Sequence, residues 1–220
     1  MKDSHKTIVD SIRSEATISR LYNLAIEGLE IGADGWYAEG LEEVKALAKS
    51  IGGTVADWSL LLSVYSPRCS VSRAARMALS HYLEPDVKPS GAMAQIYRTA
   101  VKYRPLGYLN GQKTENFRRA ILTGGNDNEN SDFVFDTHMA KAFEVDQSIG
   151  YRKWCHGSMI ETLNDVSKML VDNLGVSLTV DQLQATIWGG QLIASGLDVS
   201  KRNLIPEDVS DFAKSYGVTV

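Results

Sequence analysis

The chain has 220 residues, 44% hydrophobic and 23% charged, with a formal net charge of −4 at pH 7. This composition supports a buried core. The acidic balance argues against a protein held on nucleic acid by bulk positive charge, although local phosphate contacts remain open. The two cysteines are too few for a disulfide framework or a four-cysteine iron–sulfur cluster, so we expect a reduced, cytoplasmic protein. The polar N-terminus and the lack of a long apolar stretch predict no signal peptide and no membrane-spanning helix.

Apolar residues recur at three- and four-residue spacing along most of the chain, which is typical of amphipathic helices. The run Leu60-Leu61-Leu62 indicates a helix that is central to the core. No convincing strand pair and no internal repeat is found, so the predicted fold class is all-α. The predicted helices cover residues 20–29, 41–51, 54–62, 71–82, 92–103, 114–122, 136–144, 158–170 and 182–194, with a short one after Pro206.

Local signals at helix ends refine these limits. The pair Gly52-Gly53 is typical of a helix C-terminus. Ser158, followed three residues later by Glu161, has the form of a capping box and predicts a helix start at that point. Thr179 is predicted to open the last long helix.

Two short motifs carry the chemistry. In the first, residues 107–117, a turn containing glycines runs into a helix, where free backbone N–H groups can bind a phosphate and where Lys113 lies. In the second, the apolar residues 133–135 lead to Asp136 at the start of the next helix. A lysine and an aspartate beside a phosphate-binding turn would form a reaction site on nucleic acid.

These motifs resemble those of the helix-hairpin-helix DNA glycosylase superfamily, the endonuclease III-like group. Residues 111–116, GQKTEN, correspond to its Gly-x-Lys-Thr-x-Asn sequence, and residues 135–138, FDTH, to its Val-Asp-Thr-His sequence. Two departures are visible. Tyr108-Leu109 stands where the family has a Pro-Gly pair, and the 23-residue separation of Lys113 from Asp136 is a few residues longer than usual.

The resemblance implies a two-lobed helical fold with a cleft between the lobes. Residues 1–220 would form a single helical unit, in which one lobe carries the hairpin over about 54–145 and the other comprises 1–53 plus 146–220. The resemblance also implies duplex DNA with an extruded nucleotide as the partner. No cofactor and no metal site is predicted, and the oligomeric state is left open.

The resemblance further assigns roles to individual residues. Asp136 would be the catalytic aspartate, and Lys113 would match the Schiff-base nucleophile of the bifunctional members. The loop after the apolar helix would line the pocket for the extruded base. The DNA-binding residues would be Gly111, Gln112, Thr114, Asn116 and Arg68, and the base-pocket residues would be Tyr65, Ser66 and His138.

Each assignment has a structural alternative. Asp136 could serve only as an N-cap, Lys113 only as a solvated first-turn lysine, and residues 65–68 only as a helix end stopped by Pro67. Three functions therefore stay open. The leading one is a DNA glycosylase for a modified or damaged base, with or without lyase activity. The others are a DNA base-hypermodification transferase on the same fold and a non-catalytic DNA-binding helical protein.

Overall fold

The computed structural model describes residues 3–67, 69–129, 132–199, 203–205 and 207–217. Within these residues the regular secondary structure is entirely helical, which confirms the predicted all-α class. None of the helices described has the length and apolar content needed to cross a lipid bilayer. The α-helices are α1 (Asp3–Ile12), α2 (Glu15–Glu30), α3 (Trp36–Ile51), α4 (Val55–Tyr65), α5 (Val71–Leu83), α6 (Ala94–Tyr103), α7 (Gln112–Thr123), α8 (Thr137–Ala142), α9 (Lys153–Leu174), α10 (Val180–Ala194) and α11 (Glu207–Ser215).

The chain divides into two compact units. Unit 1 comprises Met1–Trp36 and Gly125–Ser200, and unit 2 comprises Tyr37–Gly124 and Lys201–Val220. These limits differ from the predicted lobes, which placed both motifs between residues 54 and 145. In the structure the hairpin belongs to unit 2, whereas Asp136 belongs to unit 1.

The predicted helix start at Ser158 is wrong. α9 begins at Lys153, and its N-cap residue, Arg152, makes no capping hydrogen bond through its side chain. Ser158 lies inside the helix, where its hydroxyl donates to the Trp154 carbonyl at 3.0 Å. The helix extends further back because Cys155 and His156 are buried in unit 1, and packing of these side chains outweighs the local capping signal.

Unit 2 is built around α4. The eight consecutive residues 58–65 are all buried, so this helix lies in the core on every side, as the leucine run predicted. α4 packs against α5, α6 and α7. Its N-terminus carries a capping box in which Thr54 and Asp57 satisfy each other's backbone N–H groups.

Unit 1 is organised by the close crossing of α2 and α10. A Cβ atom added at Gly28 would lie 1.9 Å from the Thr186 carbonyl oxygen, and one at Gly190 would lie 2.1 Å from the Leu24 carbonyl oxygen. The two helix backbones are therefore in direct contact, and only glycine fits at either position. α9 packs against α1 and α2, and α8 packs against α10.

We predict that Gly28→Ala and Gly190→Ala each lower the free energy of unfolding by about 3 kcal/mol, because the added methyl group forces the two backbones apart. Gly157→Ala is the matched control. Gly157 is exposed on α9 and its Cβ would meet nothing within 4 Å, so alanine should stabilise the helix by about 0.5–1 kcal/mol. Urea unfolding measures all three variants. A Gly28→Ala protein as stable as the Gly157→Ala protein would contradict the close crossing.

Candidate functional site

Residues 132–136 form a stretch without regular secondary structure that runs into the six-residue helix α8. Phe133 and Phe135 are 0% and 1% exposed, and Met139 in the first turn of α8 is also fully buried. The core of unit 1 therefore holds the chain on both sides of Asp136, which restricts the position of its carboxylate.

Asp136 is the N-cap of α8. Its Oδ1 accepts hydrogen bonds from the backbone N–H groups of His138 and Met139, both at 2.9 Å. Within the described part of the chain, no hydrogen bond reaches Oδ2. The capping role expected from the sequence is confirmed, and it leaves one carboxylate oxygen for other interactions.

Two residues of the loop that follows α8, Gly150 and Tyr151, contact Phe135 and hold residues 132–136 in place. The Tyr151 hydroxyl accepts a hydrogen bond from the Phe135 N–H at 2.8 Å. A Cβ atom at Gly150 would lie 1.9 Å from the Phe135 ring, so the ring packs directly on the glycine backbone. Burial raises the pKa of the Tyr151 hydroxyl well above its ordinary value, and the negative charges of Asp132 and Asp136 raise it further. Tyr151 is therefore a neutral partner beside two carboxylates at physiological pH.

Asp132 and His156 form a second contact beside the stretch. His156, which is 6% exposed, shares a hydrogen bond between its Nε2 and Asp132 Oδ1. Its ring stacks on Phe133 with centroids 4.9 Å apart and an interplanar angle of 9°. The His156 Nδ1 is buried and has no hydrogen-bond partner within the described residues. We call Asp132, Tyr151 and His156 the Asp132 cluster.

The Asp132 cluster was not found from the sequence. Asp132 is one of several polar residues in the loop before Phe133, and His156 lies 24 residues later. No spacing rule links two such positions, because the fold rather than a regular helix or strand brings them together. The described residues contain no group of three or more His, Cys, Asp or Glu that could hold a metal ion.

The C-terminal end of α8 is tied to α2 through Arg20. The Arg20 Nε donates to the Ala142 carbonyl at 3.0 Å, and its Nη1 lies 3.0 Å from Glu144 Oε2. Glu144 has a φ of +54°, a left-handed backbone that non-glycine residues rarely adopt. α8 is therefore held at both ends, by the Asp136 cap and by the arginine.

His138, a predicted base-pocket residue, is half-buried next to Trp188 of α10. The two rings form an edge contact with centroids 6.0 Å apart. His138 Nδ1 is buried without a hydrogen-bond partner among the described residues. Trp188 stacks in turn on Trp36, with centroids 5.2 Å apart, so the histidine borders an aromatic layer of unit 1.

The hairpin of unit 2 connects α6 to α7. Gly107 begins the turn with a φ of +72°. The buried Leu109 donates its backbone N–H to Glu115 Oε2 at 2.8 Å, and Arg118 binds the same carboxylate at 2.9 and 2.6 Å. Glu115 occupies a variable position of the resembled motif, so its role in holding the turn was missed. Tyr108, which replaces the first residue of the Pro-Gly pair, is 49% exposed.

The start of α7 carries Lys113. Gly111 is the N-cap and provides no side-chain hydrogen bond to the first turn. Gly111 and Gln112 are exposed, whereas Lys113 and Thr114 are half-buried. The Thr114 hydroxyl donates to the Gly111 carbonyl at 2.9 Å. The exposed helix start is therefore suited to an anion.

Two further residues, Asn116 of α7 and Cys69, bear on the start of α7. Asn116, a predicted DNA contact, is only 3% exposed and lies in the core of unit 2. Burial raises the pKa of the Cys69 thiol, and the positive charges of Arg73 and Lys113 oppose that rise.

The loop after α4 was predicted to line the base pocket. Tyr65 is fully buried, and its hydroxyl shares a 2.7 Å hydrogen bond with His81 Nδ1. Ser66 is half-buried and donates to the Ser63 carbonyl at 2.9 Å. These contacts give both residues a structural role in unit 2, and their pocket role stays a prediction. Arg68 lies outside the described residues.

Comparison with known families gives one finding. A family model described as a family of unknown function (DUF7178) matches residues 2–190. No curated protein and no solved structure matches the chain.

The capping role of Asp136 predicts different stabilities for two variants. Asp136→Ala should lower the free energy of unfolding by about 1 kcal/mol, because the N–H groups of the first turn lose their acceptor. Asp136→Asn should stay within a few tenths of a kcal/mol of wild type, since asparagine caps as well as aspartate does. Urea unfolding at pH 7 distinguishes them. Equal losses in both variants would mean that charge, rather than capping, supplies the stability.

The buried Tyr65–His81 pair predicts a pH dependence of stability. Burial and, to a smaller extent, the charge of Arg104 lower the pKa of His81 from 6.5 to about 4. The unfolded chain then binds this proton at a higher pH than the folded chain does. The free energy of unfolding should therefore fall as the pH drops from about 6.5 towards 4, by up to about 3 kcal/mol.

His81→Gln should remove this part of the pH dependence, whereas His5→Gln, which keeps His81, should leave it in place. Urea unfolding midpoints measured between pH 7 and pH 4.5 test both variants. An unchanged pH dependence in His81→Gln would show that another group is responsible.

Proposed function

Since the chain belongs to DUF7178, a family of unknown function, we propose a function from its own residues: a DNA glycosylase-like enzyme that cleaves the N-glycosidic bond of a modified or damaged base. In this proposal Asp136 is the catalytic carboxylate, and Lys113 attacks the sugar. The resemblance of residues 111–116 and 135–138 to the motifs of the helix-hairpin-helix DNA glycosylases supports the assignment.

The observation that carries the proposal is the anchoring of Asp136. Its Oδ1 is occupied by two backbone N–H groups, and α8 is secured by Arg20 at its other end. Breaking an N-glycosidic bond builds positive charge on the sugar. A carboxylate that is held in place before the reaction stabilises that charge without further reorganisation, or activates the attacking nucleophile.

The surroundings of Asp136 fit this role. Phe133 and Phe135 exclude water from one side of the stretch, and the neutral Tyr151 adds no opposing charge. The nearby carboxylate of Asp132 shares a hydrogen bond with His156. The two capping bonds of Asp136 use Oδ1 and leave Oδ2 for a substrate.

The start of α7 supports a DNA contact. The exposed Gly111 and Gln112 present first-turn N–H groups, and Lys113 adds a positive charge beside them. Such a helix start binds a phosphate. As a nucleophile, the neutral Lys113 amine would attack C1′ of the sugar and displace the base, which leaves with a proton. Opening of the sugar ring at the C1′–O4′ bond would then give the imine.

Borohydride trapping on a duplex with one abasic site tests the proposal. Borohydride reduces the imine to a stable amine, so wild type should form a covalent adduct with the DNA. Lys113→Ala should abolish the adduct, and Asp136→Asn should slow its formation on the order of 100-fold or more. Lys102→Ala, which removes an exposed lysine of α6, should trap as wild type does.

The remaining outcomes separate the alternatives. Release of a base from duplexes that carry modified bases, without an adduct on the abasic duplex, would remove the Lys113 nucleophile and leave a glycosylase that uses water. Modification of DNA only when a cosubstrate is added would favour a base-hypermodification transferase. An Asp136→Asn protein that binds and processes DNA as wild type does would contradict catalysis by Asp136 and favour a non-catalytic scaffold.

A further inference from the structure

Unit 2 contains a cavity of about 820 Å³ that neither sequence motif predicts. It lies between the polar face of α5, the loop of residues 84–91 and α11. Its volume is in the range of sites that bind small molecules. We call it the α5 cavity.

The lining of the α5 cavity is rich in positive charge. Arg73 and Arg76 of α5 and Lys88 of the loop face it, together with one carboxylate, Glu84. Glu84 makes no ion pair with these side chains among the described contacts. The charges of the described lining residues therefore sum to a net positive value, although the whole chain is acidic. Like charges gathered around one cavity repel each other, and an anion relieves this repulsion.

Two of the cations are held in place by backbone carbonyls. The Arg73 Nη2 donates to the Gly91 carbonyl at 3.0 Å, and the Lys88 Nζ donates to the Ala92 carbonyl at 2.9 Å. Gly91 has a φ of +76°, and a Cβ there would lie 2.8 Å from Arg73 Nη2, so glycine makes this approach possible. The guanidinium group has five N–H donors. Its bond to the Gly91 carbonyl uses one of them, and the others can bind an oxyanion.

The start of α5 adds to the positive potential. Ser70 is its N-cap, and both Ser70 and Ser72 line the cavity. α5 has 13 residues, so its N-terminus carries the partial positive charge of a full helix dipole. This effect reinforces the arginines and does not by itself define a site.

The opposite side of the cavity is aromatic and apolar. Phe212 and Tyr216 of unit 2 line it, with ring centroids 5.3 Å apart and an interplanar angle of 76°. Tyr216 is 38% exposed, and Met77 and Val87 lie on the remaining wall. A flat ring can therefore contact aromatic surface while an attached anionic group reaches the arginines.

We propose that the α5 cavity binds a nucleoside monophosphate. The phosphate is held by Arg73 and Lys88, and the base contacts Phe212 and Tyr216. This site lies wholly in unit 2 and does not depend on the glycosylase proposal. None of its described lining residues belongs to the hairpin, so a failure of either proposal leaves the other standing.

Isothermal titration calorimetry on the full chain tests the site with the four 5′-deoxynucleoside monophosphates, inorganic phosphate and thymidine. We expect saturable binding of a monophosphate, weaker binding of phosphate and none of thymidine. Arg73→Gln and Lys88→Gln should each weaken monophosphate binding about tenfold, because each removes a charge-assisted hydrogen bond. Lys49→Gln, an exposed lysine outside the cavity, is the control and should bind as wild type does.

A second variant tests the aromatic wall. Tyr216→Ala should weaken binding of the monophosphate and leave binding of inorganic phosphate unchanged, which a loss of folding would not do. Thermal melts of every variant check that the fold is retained. Absence of saturable binding at millimolar nucleotide, or binding unaffected by Arg73→Gln and Lys88→Gln, would overturn the proposal. Binding of an oligonucleotide without a terminal phosphate, with no binding of mononucleotides, would also overturn it. The basic surface would then bind the phosphodiester backbone of a nucleic-acid strand.

Discussion

The backbone contact between α2 and α10 is the constraint on which unit 1 depends. At Gly28 and Gly190 the two helices approach more closely than any side chain allows. This crossing places α10 so that α8 packs against it, and α8 carries Asp136 at its start. Because protein interiors are densely packed, a shift at the crossing would be passed on to neighbouring elements. The position of the candidate carboxylate therefore depends on two glycines that take no part in the proposed chemistry.

Under the proposed function, one side chain at the start of α8 combines a structural and a chemical task. Asp136 satisfies two N–H groups through Oδ1, so it would be retained for helix stability alone. The same bonds hold the carboxylate in one orientation, which is what an electrostatic role in catalysis requires. The Asp132 cluster and Arg20 fix the backbone around it. Capping and the proposed catalysis therefore need the same geometry. They differ in that catalysis also needs the negative charge of the carboxylate.

Positive charge in this protein is concentrated at a few places. The net charge of −4 gives no general attraction to nucleic acid. Unit 2 nevertheless gathers positive groups in two places, at the start of α7 with Lys113 and around the α5 cavity. Both places combine a helix N-terminus with basic side chains. This pattern suits recognition of single phosphate groups rather than of a long phosphate backbone.

The sequence by itself determined the all-α class, the central position of α4, the helix starts at Thr54 and Thr179 and the cap at Asp136, because periodicity and capping depend on residues a few positions apart. Only the tertiary structure decided which distant side chains meet. Tyr65 is buried against His81, Asp132 is hydrogen-bonded to His156, and α9 begins before Ser158. The tertiary structure also assigned the two motifs to different units. These outcomes follow from packing between segments far apart in the chain, and no local spacing encodes such contacts.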